Sequence, residues 1–440
     1  MKIGLCSLPS RVTGLATVAL AATVGLALFP VCAVGQAGLP EGLPNTSNGR
    51  SFIGANVEEL LRWADSHNPE LLALGYEADA ANARIDVAGA LPDPTLRVTF
   101  MDFAGPGAVD DRSETQYRVG QTFPWWGKRG LREEVAVAEL AQARGKQQAG
   151  RAEIHARIKS AYARYYQAVG LKKLNGEILQ LLTDLEGLAQ VRYSGGLVPQ
   201  QDVIRVQVER TLLRSELIEL DTEQHHAMSG LNVAMGRQQL EPFAEPQSLR
   251  DVPAELLDSA NLAERIAHTN PQLAMQSARV SAADANQRLA DRDRYPDFTI
   301  MIAPTLVDSR FDTWEAMVEI NLPIRFDSRR ARQNAAAAML AAERERQQAL
   351  HNQLAGYVQE SLIALVAAEK QEQLITGTLL PQAELTLESA MAGYETGQVD
   401  IDTLFEAQRA LKRARQDSLR AQVMQELRMA EIESMMGEES

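Results

Sequence analysis

The stretch "RYSGGLVPQQDVIRVQ" from Arg192 to Gln207 returns as "GYETGQVDIDTLFEAQ" from Gly393 to Gln408, an offset of 201 residues. Other landmarks repeat in the same order. Asn68-Pro69 returns as Asn270-Pro271, Pro92-Asp93 as Pro296-Asp297 and Pro124 as Pro323, with offsets of 202, 204 and 199. A repeat that holds its register this far is an internal duplication, so the chain must build one architecture from two like halves.

Within each half the hydrophobic period changes in a fixed order. Thr95 to Phe103 alternates, with Leu96, Val98 and Phe100 on one side and Thr95, Arg97 and Thr99 on the other, the pattern of a strand with two unlike faces. Alternation recurs at 116–123, 298–304 and 314–322, with polar loops at 104–114 and 305–313, so each half carries one long hairpin. After Pro124 no proline appears until Pro199, and the span from Trp126 to Tyr193 is rich in Ala, Leu, Glu and Arg. As a continuous helix it would reach roughly 100 Å. The second half repeats this from Asp327 to Tyr394, where Pro381 is expected to kink or divide the helix.

Past the glycine turns, Val203, Val206, Leu213, Leu217 and Leu220 in one half, and Leu404, Ala407, Leu411 and Ala414 in the other, follow the spacing of a coiled-coil seam. With only 5% aromatic residues, the chain reads as mainly α with a small β part. The expected division is a signal peptide at 1–35, an N-terminal extension at 36–54, a first repeat at 55–240, a Pro-rich linker at 241–258 and a second repeat at 259–437.

The signal reading rests on Lys2 and Arg11 ahead of the apolar run Val12–Phe29, with small residues at Ala33-Val34-Gly35. Cys6 and Cys32 both lie in this segment, so a chain cut after Gly35 contains no cysteine and no disulfide. It also carries 42 basic against 58 acidic side chains, a net charge of −16 with no basic tract, which argues against nucleic acid as a partner. After the leader no stretch has the length and apolarity of a spanning helix, so entry into a membrane would have to be by β-strands. Four strands are too few for a closed barrel, whereas three copies supply twelve and leave no edge.

Catalytic patterns are missing. His67, His155, His268 and His351 stand alone in the sequence and His225-His226 point to different helix faces, so they read as solvated surface histidines without a metal site. The Met435-Met436 pair reads as tail residues, and no phosphate loop, nucleophile elbow or HExxH motif occurs. Neither enzyme activity nor a cofactor is expected.

With Tyr193, Gly196, Val203, Ile204 and Gln207 in one half, and Tyr394, Gly397, Leu404, Phe405, Ala407 and Gln408 in the other, the chain resembles the TolC family of outer-membrane efflux proteins over residues 55–437. The run "FPWWGKRG" from Phe123 is similar to a version found in the heavy-metal branch, which serves cobalt-zinc-cadmium or copper and silver resistance. The resemblance implies a homotrimer with a 12-stranded barrel in outer-membrane lipid and an α-helical barrel in the periplasm of a Gram-negative cell. Its function would be that of a passive exit duct, for metal cations rather than drugs, joined to a periplasmic adaptor and an inner-membrane pump of the resistance-nodulation-division type.

The family's adaptor-contacting tips correspond to Gly196, Leu197, Val198, Gly397, Gln398 and Val399 here. Its two aperture acids fall on Thr403 and Glu406, so one carboxylate is replaced while Asp400 and Asp402 flank the change. Asp402 and Glu406 share a helix face and would form two acidic rings in a trimer. A soluble periplasmic coiled-coil tether is the alternative, in which the alternating segments are loops packed on helices.

Overall fold

The structure, a computed structural model, describes residues 53–101, 114–237, 241–257, 259–307 and 310–437. The expected signal peptide, both cysteines and nearly all of the 36–54 extension lie outside these residues. In chain order the elements are α1 (Val57–His67), α2 (Pro69–Gly89), β1 (Thr95–Met101), β2 (Glu114–Phe123), α3 (Lys128–Ser194), α4 (Gln200–Met235), α5 (Ser259–Thr269), α6 (Pro271–Arg292), β3 (Phe298–Val307), β4 (Arg310–Ile320), α7 (Phe326–Leu374), α8 (Leu380–Thr396) and α9 (Ile401–Met436).

The duplication is visible at the Asn-Pro steps. Asn68 Oδ1 accepts from the N–H groups of Glu70 (2.9 Å) and Leu71 (3.3 Å), and Asn270 Oδ1 accepts from that of Leu273 (2.9 Å). Each asparagine caps a helix whose first residue, proline, has no N–H to satisfy. The other end of each side chain reaches the last turn of its half's final helix: Asn68 Nδ2 donates to the Ala234 carbonyl (3.4 Å), and Asn270 Nδ2 to that of Met435 (2.7 Å). One residue type at equivalent places thus starts a helix and fastens it to another.

The four strands form one antiparallel sheet in the order β1-β2-β3-β4. The second hairpin is longer than its sequence suggests: the loop expected at 305–313 is strand on both sides, to Val307 and from Arg310. Polar residues there, such as Thr305 and Thr313, are a directly opposed pair in the ladder. The register sorts side chains by face. On one face lie Leu96, Val98 and Phe100, then Tyr117, Val119 and Phe123, then Phe298, Ile300 and Ile302, then Trp314, Val318 and Ile320. On the other lie Thr95, Arg97, Thr99, Gln116, Arg118, Thr122, Thr299, Glu315 and Glu319, with Met301 opposite Met317. The apolar face is open: Leu96, Phe100, Trp314 and Val318 each keep between 64% and 69% of their surface.

Where sheet meets helix, Lys128 at the start of α3 is buried and donates to the Tyr295 carbonyl (3.0 Å) and to Asp297 Oδ1 (2.9 Å). The same carboxylate oxygen accepts from the Trp125 N–H at 2.8 Å, and Trp125 stacks on Tyr295 with centroids 5.2 Å apart. The Trp-Trp-Gly-Lys run is therefore a joint between the two hairpins. Trp126, just past the end of β2, and Trp314, opposite Pro304 in the middle of the ladder, both remain exposed.

α3 is unbroken over 67 residues. Its counterpart runs from α7 through a π-helical turn at Ile375–Leu379 into α8 without leaving helical dihedrals. Pro381 therefore does not divide the helix. It cannot donate a hydrogen bond, and the wider π turn immediately before it takes up the disturbed ladder.

Among the described residues, three apolar clusters form the core. Two are equivalents: Val57, Leu60, Ile154, Ile158, Tyr162, Leu231 and Met235 in the first half, and Leu262, Ile266, Val358, Leu365, Met429 and Ile432 in the second. The third joins α3, α4, α8 and α9 near the glycine turns, through Leu182, Leu185, Val206, Tyr394 and Leu404. Among the described residues, no helix is long and apolar enough to cross a membrane.

The linker is fastened as well. Tyr162 Oη of α3 donates to the Ser248 carbonyl at 3.4 Å, and Arg250 inserts between two glutamates of α9. Its guanidinium donates to Glu426 Oε1 (2.7 and 3.0 Å) and to both oxygens of Glu433 (2.8 and 3.0 Å), while Lys159 Nζ of α3 donates to Glu433 Oε2 at 2.7 Å. Burial opposes ionisation of Glu433, but Arg250 and Lys159 outweigh it and hold this carboxyl below the usual range. Burial wins at Glu426, whose second oxygen has no partner, and raises its pKa.

The two glutamates should therefore respond differently to neutralisation. Glu433→Gln is expected to cost about 3 kcal/mol at pH 7, as for breaking a buried pair, and Glu426→Gln clearly less. A depressed folded-state pKa gives stability that is present above the unfolded value and lost as pH falls through the folded value, so the gap between Glu433→Gln and the parent should close on acidification. Thermal denaturation of both variants at pH 7 and pH 4 checks this; equal losses at pH 7 would show that the carboxylates are equivalent.

Candidate functional site

The two glycine turns form one end of the helical part. At the first, Gly196 has φ +71°, the Leu197 N–H bonds the Arg192 carbonyl (2.9 Å) and the Gly196 N–H that of Tyr193 (2.9 Å). At the second, Gly397 has φ +79°, the Gln398 N–H bonds the Gly393 carbonyl (2.8 Å) and the Gly397 N–H that of Tyr394 (3.1 Å). Both are Schellman caps, in which a left-handed residue lets the chain reverse while the last carbonyls stay bonded. Gly196, Leu197, Gln398 and Gly397 are exposed, and Val198 and Val399 half-buried.

Beneath the turns, Arg192 is buried with its guanidinium 4.9 Å from the centre of the Tyr394 ring. This contact joins the C-terminal end of α3 to that of α8, so the two turns are held as a pair. Val399 folds back over Gly393 so closely that a Cβ there would lie 2.0 Å from its Cγ2.

The expected acidic residues separate into three roles. Asp400 caps α9, accepting from the Thr403 N–H (2.9 Å) and hydroxyl (2.6 Å). The Thr403 hydroxyl, then its N–H, hold this carboxyl below its usual pKa. Asp402 is ion-paired with Arg205 of α4. Glu406 is exposed and has no ion-pair partner among the described residues. The expectation of two stacked carboxylates is therefore modified within one chain, because Arg205 offsets the charge of Asp402.

The Arg205–Asp402 contact begins a ladder between α4 and α9, continued by Glu209–Arg409 and by Glu216–Lys412 at 2.6 Å. Sequence reasoning missed it because the partners are about 200 residues apart. Asp202, on the first turn of α4, faces the same cluster. Partial burial, reinforced by Asp402 and Asp400 and opposed by Arg205, raises its pKa.

One histidine reading needs correction. His155 is buried rather than solvated, with Nε2 2.9 Å from Asp65 Oδ1, and Arg151 donates to the same carboxylate at 2.9 and 2.8 Å. Burial lowers the His155 pKa, so the ring is neutral at pH 7. His268 and His351 line one shallow hollow between α5, α6 and α7. Among the described residues no group of three or more His, Cys, Asp or Glu could hold a metal ion.

Residues 262–438 match the family described as outer membrane efflux protein. The cobalt-zinc-cadmium resistance protein CzcC of Cupriavidus metallidurans is 25% identical over 374 residues, covering 82% of this chain and 84% of its own. Among solved structures, the open-state outer membrane channel MtrE of Neisseria gonorrhoeae superposes with a TM-score of 0.74 at 15% identity, covering 88% of this chain and 90% of its own. CusC, solved in a study of transmembrane channel formation, gives 0.67 at 17% identity over 90% and 95%. These superpositions establish a shared fold.

The tip offers a matched pair of glycine tests. Gly393→Ala forces Val399 aside and should cost about 1–3 kcal/mol, as overpacking does. Gly187→Ala in the interior of α3 meets nothing within 4 Å, and should be neutral or stabilising by up to about 1 kcal/mol. Limited proteolysis is expected to cut Gly393→Ala faster between 395 and 400 and to leave Gly187→Ala unchanged; equal rates would mean the turn does not depend on Val399.

Proposed function

The chain belongs to the outer membrane efflux protein family, channels of the TolC type that transport rather than catalyse, and from that premise we propose that it is the homotrimeric exit duct of a tripartite efflux system. The observation that carries the reading is the sheet with two unlike faces. Its apolar side chains project outward from strands that also carry Thr, Gln, Arg and Glu on the opposite face. An exposed apolar face of this extent is unfavourable in water and favourable in lipid.

In the proposed assembly three sheets close into a 12-stranded barrel in the outer membrane, and the long helices form a tube in the periplasm. Trp126, just past the helical end of β2, is placed to sit near one edge of the apolar band. A soluble tether would leave Leu96, Phe100 and Val318 in water with no compensating contact. No reaction is needed of a duct, and energy comes from the inner-membrane pump.

The tips, with Gly196, Leu197, Val198, Gly397, Gln398 and Val399, are the proposed contact for a periplasmic adaptor. Leu197 supports this, since an apolar side chain that is 71% exposed on a turn suits an apolar partner. Heavy-metal cations are the proposed substrate, on the strength of CzcC, named for cobalt-zinc-cadmium resistance, and of an acidic chain. Glu406 would then form the free carboxylate ring at the narrow end, while Asp402 is held by Arg205 and Asp400 by its capping role.

In a planar bilayer the purified protein is expected to give a cation-selective pore, and amine crosslinking to give a ladder ending at trimer. No insertion and no trimer would return the tether reading. Glu406→Gln should lower cation selectivity, Asp402→Asn should lower it less, and Arg205→Ala should raise it by releasing Asp402. Reversal potentials under a salt gradient measure all three; identical values would remove these carboxylates from the aperture.

A further inference from the structure

The sheet has two unpaired edges, and their charges are opposite. On the polar face, β1 at one edge carries Arg97 and β4 at the other carries Glu315 and Glu319. Within the sheet, Arg97 lies directly opposite Arg118, a repulsive arrangement. Arg118 is relieved by a relay: its Nη2 donates to Gln116 Oε1 (2.9 Å), and Gln116 Nε2 donates to Glu315 Oε2 (3.2 Å). Arg97 and Glu319 are left, both exposed and neither with an ion-pair partner among the described residues.

We propose that the β4 edge of one copy pairs with the β1 edge of a second copy in a register that sets Glu319 directly opposite Arg97. This rests on the channel reading above and adds to it the seam's register and the pair that selects it.

Three independent constraints converge on that register. Neighbouring strands alternate in direction through the sheet, so β4 meets the next β1 antiparallel. Each face must continue across the seam, because a one-residue slip would turn the polar side chains toward lipid. That leaves odd-numbered β4 residues opposite odd-numbered β1 residues.

The third constraint is barrel geometry. Inside one sheet Thr95 lies level with Gly120, Met301 and Met317. If Glu319 faces Arg97, Met317 faces Thr99, a step of four residues per four-stranded copy. One residue of stagger per strand, at about 3.4 Å rise and 4.8 Å strand spacing, tilts the strands by about 35°, within the range of membrane barrels. A step of two gives roughly 19°, which is too upright, and a step of six gives roughly 47°.

The chosen register also sets Thr95, the first residue of β1, opposite Asn321, which directly follows the last residue of β4. The two edges therefore end together at the helical side of the sheet. In a water-filled lumen the ion pair adds little stability. Its effect is on register, because the neighbouring choices would set Arg97 against Met317 or Asn321.

Directly opposed residues have Cα atoms about 4.5–5.5 Å apart, inside the span of a disulfide. Full-length chains carrying Arg97→Cys with Glu319→Cys, oxidised in the outer membrane, should give disulfide-linked dimer and trimer bands that vanish on reduction. Arg97→Cys with Met317→Cys, Arg97→Cys with Asn321→Cys, and each single variant should give markedly less. As a cysteine-free readout, Arg97→Glu and Glu319→Arg should each lower the temperature at which the oligomer dissociates, and the double exchange should recover most of the loss.

Stronger bands from either neighbouring pair, or no recovery in the double exchange, would overturn the register while a trimer seen by amine crosslinking left the channel reading standing. Absence of any oligomer by both methods would overturn the channel reading itself, and the seam with it.

Discussion

A sheet in hydrocarbon has no water to satisfy its edges, so every backbone N–H and C=O must find a partner in the protein. This one constraint orders the rest of the molecule. Four strands with apolar side chains on one face and polar side chains on the other cannot meet it alone, and repetition around an axis is the economical solution. The helices take their direction from the sheet, because β2 runs into α3, and β4 into α7, through short proline-containing joints. Lys128, Asp297 and the Trp125–Tyr295 stack fix the first joint to the start of β3, so the direction of a helix some 100 Å long is set by a few contacts at its root.

Farther from the sheet, stability rests on two kinds of contact. The equivalent apolar clusters under α1 and α5 are ordinary helix packing, with fully buried Leu60, Ile154, Leu262 and Leu365. The Arg250, Glu426, Glu433 and Lys159 cluster differs, since four ionisable groups leave water together. Such clusters are poor sources of net stability but fix geometry, because a misplaced member leaves a buried charge unpaired. Here the geometry fixed is that of the linker, which crosses from one half to the other and binds α9 and α3 at once. At the tip the ion pairs between α4 and α9 are more exposed and individually weak.

What the sequence made legible was whatever depends on local rules. Gly196 and Gly397 stood out because a left-handed cap excludes almost every other residue. The four strands stood out because a sheet with one wet face alternates. The hairpin end at Thr305–Thr313 was read as loop because its polar side chains were counted without their apolar neighbours across the ladder. Pro381 was expected to kink or divide its helix because a π turn has no sequence signal that distinguishes it from α-helix. Contacts over long sequence distance were invisible: Arg250 finds Glu426 and Glu433 176 and 183 residues away, and His155 finds Asp65 across 90. Asp402 looked like a free carboxylate until α4 brought Arg205 beside it.

The duplication preserved backbone more strictly than chemistry. Asn68 and Asn270 keep the same two jobs, and both tips keep the same cap. At the 201-residue offset, however, Arg205 corresponds to Glu406 and Asp202 to Thr403, so equivalent helix positions carry opposite or missing charge. Near the linker, Asn232 of α4 donates to the Glu241 carbonyl at 2.9 Å, while its counterpart Glu433 of α9 binds Arg250. Both hold the linker, one through a neutral amide and the other through a carboxylate. A tube built from three such chains has six nearly equivalent helical hairpins in backbone but only three in charge. In such an assembly the charge at the tips would alternate between Glu406 and the equivalent Arg205, so the pairing of Arg205 with Asp402 would set how uneven that pattern is.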